Sequence, residues 1–174
     1  MSLEKNGYPD IDEIKNSPGY PGDSRLARGN CIVIECIQEI PCNPCEVACK
    51  FGAIKVGQPI TNLPVFDGEL CTGCGNCIAD CPGQAIFLVN KAYAPGKALV
   101  AFPYEFYPLP EKDEIVIAAN RSGKDIGKGK VIKVINPKKN DRTPVIYMEV
   151  PLELVDEVRS IKHLIKKEDK QERE

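Results

Sequence analysis

The chain has 174 residues, 43% hydrophobic and 28% charged, with a net charge of −2. That composition fits one globular domain or two small ones and excludes a disordered chain. The charge gives no default affinity for nucleic acid, and no apolar run approaches the ~18 residues of a membrane span. Met1-Ser2-Leu3-Glu4-Lys5-Asn6-Gly7 lacks the apolar stretch of a secretory signal, so a cytoplasmic chain is expected. Nine cysteines in such a chain point to metal or redox chemistry rather than to a disulfide scaffold.

Residues 1–30 hold Pro9, Pro18, Pro21 and four glycines among scattered charges, and read as an extended arm with little core of its own. Only Ile11-Asp12-Glu13-Ile14 could start a short helix there. The arm either frays or lies across a partner subunit. Residues 31–90 contain all nine cysteines and sum to −4. They open on Cys31-Ile32-Val33-Ile34-Glu35, an alternating strand. Residues 91–112 are rich in Tyr, Phe and Pro and read as a covering linker. Residues 113–150 carry three strand signals, 114–118, 130–135 and 144–150, which predict a small antiparallel sheet or barrel fragment. Pro151 suits a first helical position, and Leu154, Val158, Ile161 and Ile165 recur at helical spacing, so a helix is expected over 152–166. A charged tail from Lys167 completes a final segment, 151–174.

The cysteine spacing carries the chemistry. Cys71-Thr72-Gly73-Cys74-Gly75-Asn76-Cys77-Ile78-Ala79-Asp80-Cys81-Pro82 is C-x2-C-x2-C-x3-C-P, a strong signal for a cubane 4Fe–4S cluster. Three thiolates two residues apart can wrap one face of a compact cluster from a tight loop. Gly73 and Gly75 allow the sharp turn and bring amide N–H groups toward sulfur. The fourth cysteine points away, toward a second cluster where there is one. An earlier segment, Cys42-Asn43-Pro44-Cys45-Glu46-Val47-Ala48-Cys49, repeats the last three ligands. The missing first ligand would fall at Glu39. Reading Gln38-Glu39-Ile40 as a three-residue insertion makes Cys36 that ligand, an insertion cheap in closure entropy. Cys31 is left over, either a small buried apolar residue or a substitute for Cys36. Structural zinc is the alternative metal, but zinc sites draw ligands in pairs rather than three from one loop.

This repeat resembles the two-cluster bacterial-type ferredoxins over about 31–90. The resemblance implies a pseudo-twofold core of two short hairpins and two helical turns around two 4Fe–4S clusters. One cluster would take Cys36, Cys42, Cys45 and Cys81; the other would take Cys71, Cys74, Cys77 and Cys49. The fold class expected is therefore α+β: a ferredoxin-like two-cluster core followed by a small β-rich domain and a C-terminal helix. Clusters closed by four cysteines leave no open iron site, which implies single-electron transfer rather than Lewis-acid catalysis. No catalytic residues are expected: His163 reads as a surface residue. Gly123–Gly129 is one residue short of a phosphate loop and precedes a strand.

The extra arm and tail look like features that fasten a carrier to an enzyme. The layout also resembles the small iron–sulfur subunits of flavin-dependent amino-acid or amine dehydrogenases, through Ile34-Glu35-Cys36, Ile40–Cys45 and Arg142–Val145. That resemblance implies flavoprotein partner subunits. The alternative is a stand-alone soluble electron carrier. Residues 121–142 sum to +6 and read either as a solvated hairpin with edge-protecting lysines or as a docking face for an acidic partner.

Overall fold

The computed structural model describes residues 2–164. The arm expected to be extended is folded into three short helical turns, α1 (Ser2–Asn6), α2 (Ile11–Lys15) and α3 (Asp23–Leu26). Asp10 caps α2 in a reciprocal capping box with Glu13. Ile14 and Leu26 are fully buried, so the arm packs on its own chain through two apolar anchors. Its prolines punctuate the turns without preventing that burial.

Nine strands follow among the described residues, seven of them in one antiparallel sheet. They are β1 (Cys31–Ile34), β2 (Ile54–Lys55), β3 (Val65–Phe66), β4 (Ile86–Ala94), β5 (Lys97–Pro103), β6 (Ile115–Asn120), β7 (Asp125–Ile135), β8 (Val145–Pro151) and β9 (Val158–Ile161). The sheet order is β1-β4-β5-β8-β7-β6-β9, and β2 pairs with β3 apart from it. The three strand signals in 113–150 become β6, β7 and β8. The segment read as a linker contributes β5, near the middle of the sheet and buried from Ala98 to Pro103. Its Ala-Leu-Val-Ala-Phe run is that of a strand covered on both faces; most of the prolines and aromatics that suggest a loop, from Tyr104 to Pro110, follow β5.

Over 152–164 the expected C-terminal helix is not formed. A 3₁₀ turn at Leu152–Leu154 leads into β9, which pairs with β6 at the sheet edge. Lys162 N donates to Ile117 O at 2.9 Å. The three- and four-residue spacing of Leu154, Val158 and Ile161 suits a helix, but Val158 and Ile161 are β-branched, and β6 offers an unpaired edge. Tertiary pairing overrides the local pattern. The remainder of the expected helix and tail, 165–174, lies outside the described residues.

The sheet curls until its two edges meet. Glu35, just past β1, accepts from Arg121 Nε at 2.8 Å and Nη2 at 2.7 Å, and from Arg159 Nε of β9 at 2.5 Å. Glu35 and Arg159 are buried. Burial pushes the Glu35 carboxyl up, but Arg159 and Arg121 outweigh it and hold it below its ordinary value. Arg159 also lies over the Phe87 ring, 5.0 Å from its centroid. A buried carboxylate between two guanidiniums thus closes the seam.

Candidate metal centre

The two cysteine motifs are held by matching halves. α4 (Pro44–Ala48) and α5 (Asn76–Ala79) each begin one residue before a central cysteine, Cys45 or Cys77. The strand before the first motif, β1, pairs with the strand after the second, β4. The strand after the first, β2, pairs with the strand before the second, β3. Ile34 lies opposite Ile86, and Ile54 opposite Phe66. Glu35 N donates to Ala85 O and Asp67 N to Ala53 O, both at 2.8 Å. Every one of these positions has its counterpart thirty-two residues on: Ile34 at Phe66, Cys42 at Cys74, Cys49 at Cys81, Ile54 at Ile86.

That constant offset corrects the reading of Gln38-Glu39-Ile40 as an insertion. The loop from Glu35 to Cys42 is as long as the loop from Asp67 to Cys74. Glu39 occupies the position of Cys71 and is exposed, while Cys36 occupies that of Gly68. Cys36 thus stands three residues upstream of the Cys71-equivalent position in a loop of equal length.

The halves interlock, and so do the thiols. Burial pushes the Cys45 thiol up to about 11, and neighbouring Cys81, Cys42 and Cys36 add to the rise. Cys36 is raised by burial and then by Cys81 and Cys42; Cys81 is raised by burial and feels Cys42. On the other side burial pushes Cys77 up, reinforced by Cys74, Cys71 and Cys49. Each group of four therefore contains one cysteine from the opposite motif. Cys49, Cys71, Cys74 and Cys77 line one small cavity, walled by apolar side chains such as Ile54 and Phe66. Among the described residues no three metal-ligating side chains converge on a single point, as one zinc ion requires. The thiols ring a space instead.

These surroundings fit a 4Fe–4S group. Four crowded thiolates repel one another, and a cationic iron–sulfur core relieves that repulsion. Backbone donors already face the sulfurs. Ala53 N reaches Cys49 Sγ at 3.3 Å, Ala85 N reaches Cys81 Sγ at 3.4 Å, and Gly73 N reaches Cys71 Sγ at 3.4 Å. Gly73 has φ +68°, and a Cβ there would stand 2.5 Å from Asn30 Cβ; only glycine lets the ligand loop lie against the strand entry.

Two participants have no signal in the motif spacing. Cys31 is fully buried and its thiol interacts with that of Cys71, so it stands beside the opposite group from Cys36. That contact comes first in lowering the Cys71 thiol below its ordinary value; burial opposes it, and Ile32 N–H, Gly73 N–H and Arg25 assist. Arg25, in the N-terminal arm, donates to Gly68 O at 2.7 Å and Cys71 O at 2.8 Å, clamping the loop that carries Cys71. His163 is exposed and contacts the Tyr107 carbonyl, far in role from any thiol.

Residues 63–86 match the model of a 4Fe–4S binding domain. The chain therefore carries a 4Fe–4S ferredoxin-type domain. One subunit of a Na(+)-translocating ferredoxin:NAD(+) oxidoreductase complex from Acetobacterium woodii is 42% identical over 48 residues, 28% of this chain and 14% of the relative. One subunit of an ion-translocating oxidoreductase complex from Methanosarcina acetivorans is 53% identical over 49 residues, 28% of this chain and 17% of the relative. An uncharacterized ferredoxin of Methanocaldococcus jannaschii is 38% identical over 72 residues, 40% of this chain and 44% of that protein. The chain thus matches less than half the length of each relative. No solved structure matches it. These relatives lend no support to the expected amino-acid or amine dehydrogenase. Among the described residues no helix is long and apolar enough to cross a membrane.

Proposed function

We propose that this ferredoxin-type domain holds two 4Fe–4S clusters and serves as the electron-transfer subunit of a multi-subunit oxidoreductase. Cys36, Cys42, Cys45 and Cys81 hold one cluster; Cys49, Cys71, Cys74 and Cys77 hold the other. The observation that carries this reading is the crossed grouping of the thiols, one cysteine of each four coming from the other motif. When bound, such clusters store and pass single electrons. The chain's own residues set the conditions: N–H groups of Ala53, Gly73 and Ala85 point at thiolate sulfur, and Arg25 places a positive charge beside Cys71. Each favours the reduced, more negative state. Two named relatives are subunits of oxidoreductase complexes, which supports a fixed partner over free diffusion. The partner's substrate is left open.

A redox titration of the anaerobic protein, followed by electron paramagnetic resonance, is expected to show uptake of two electrons per chain. Absence of any reducible centre would overturn the reading. Cys36→Ser is expected to remove or convert the cluster shared with Cys81, whereas Glu39→Ala leaves iron content unchanged. Iron loss in the second variant with none in the first would place the ligand at the upstream end of the loop in error.

A further inference from the structure

The exposed thiol of the second group stands beside a basic rim that the ferredoxin core itself does not supply. Cys74 is the one exposed cysteine of the nine. Asn76 Nδ2 donates to Cys74 Sγ at 3.6 Å, and Lys139 Nζ donates to Asn76 Oδ1 at 3.2 Å. Lys139 lies in the 3₁₀ turn Lys138–Asn140 between β7 and β8. From β8, Tyr147 covers the same loop. A Cβ on Gly75, whose φ is +75°, would lie 2.8 Å from Tyr147 Oη. Lys133 of β7 places Nζ 4.1 Å from the centre of the Tyr147 ring. Cys74, Asn76, Ile135, Lys139 and Tyr147 line a common cleft.

The charges on this rim are free. Lys133, Lys138 and Lys139 are exposed and form no ion pair among the described residues. Two lysines elsewhere are engaged instead, Lys130 of β7 with Asp113 and Lys162, just past β9, with Asp125. The chain as a whole is −2, so this rim is a local inversion of sign at the most accessible thiol.

We propose that the cleft around Cys74, rimmed by Lys133 and Lys139, is the docking site for an acidic redox protein. This rests on the electron-transfer reading and adds its exit point. A partner seated there exchanges one electron at a time with the chain. No bond forms or breaks; the partner's own one-electron cofactor is reduced as the chain is oxidised, or the reverse. The unpaired lysines supply the steering field, and Asn76 and Tyr147 connect that field to the ligand loop.

Hexacyanochromate(III), a redox-inert paramagnetic trianion, tests the site without electron transfer. In the iron-loaded full chain it is expected to broaden the magnetic resonance signals of Lys133 and Lys139, and the cation hexaamminechromium(III) is not. Broadening centred elsewhere would overturn the proposal. The chemically reduced protein should then lose its electron faster to the trianion tris(oxalato)cobaltate(III) as salt is lowered, by about tenfold. Net charge alone predicts the opposite trend. The pair Lys133→Gln and Lys139→Gln should abolish the salt effect, while Lys124→Gln, in the turn before β7, preserves it. An unchanged salt dependence in the double variant, with full iron content, would reject the docking site and leave the electron-transfer reading standing.

Discussion

Replacing Glu35 with glutamine is expected to destabilise the fold by about 3–5 kcal/mol, because it leaves two guanidiniums facing each other without their shared carboxylate. Arg159 is only 7% exposed and has no other carboxylate within ion-pair distance among the described residues. Arg121 retains one longer contact, to Glu157 at 3.5 Å. The loss strikes the seam where β1 and β9 meet, one residue from Cys36. Anaerobic thermal unfolding should show a midpoint lower on the order of 10 °C. A companion variant, Glu35→Leu with Arg121→Met and Arg159→Met, should recover most of that loss, since apolar replacement of a buried ion cluster is often neutral. A midpoint for Glu35→Gln equal to that of the parent would show that the triad does not close the sheet.

Exchanging a single cysteine for serine should reveal the crossing of the two motifs. Cys45 and Cys49 are neighbours on one helical turn, yet their thiols fall into opposite groups. Cys49→Ser is expected to resemble Cys74→Ser, and Cys45→Ser to resemble Cys81→Ser. In each variant iron should fall by about half, and the surviving paramagnetic signal should identify the pair. Were Cys49→Ser to match Cys45→Ser instead, each motif would build its own cluster and the pairing of β1 with β4 would have lost its functional meaning.

Much of this core is legible in the sequence because its constraints are local. C-x2-C-x2-C is a loop property, and Gly73 and Gly75 announce the turn. The strands in 113–150 announce themselves through β-branched runs between turn residues. What escapes is set by partners far along the chain. Glu35 meets Arg121 and Arg159 across 86 and 124 positions, and nothing near any of the three marks the triad. The same blindness produces the expected C-terminal helix: apolar residues three and four apart satisfy a helix, and only the free edge of β6 makes them a strand. The N-terminal arm escapes for a related reason, since Ile14 and Leu26 have no periodic company and find their core on other elements. The supposed insertion has a simpler source. Alignment on cysteines alone shifts the frame, whereas the flanking strand pairs hold the offset constant.

Two closed clusters on eight of the nine cysteines are tested most directly by inorganic analysis. Protein purified without oxygen and shown to be folded should contain about eight iron and about eight acid-labile sulfides per chain. A folded chain saturating at about half that content, or holding metal without sulfide, would contradict the account.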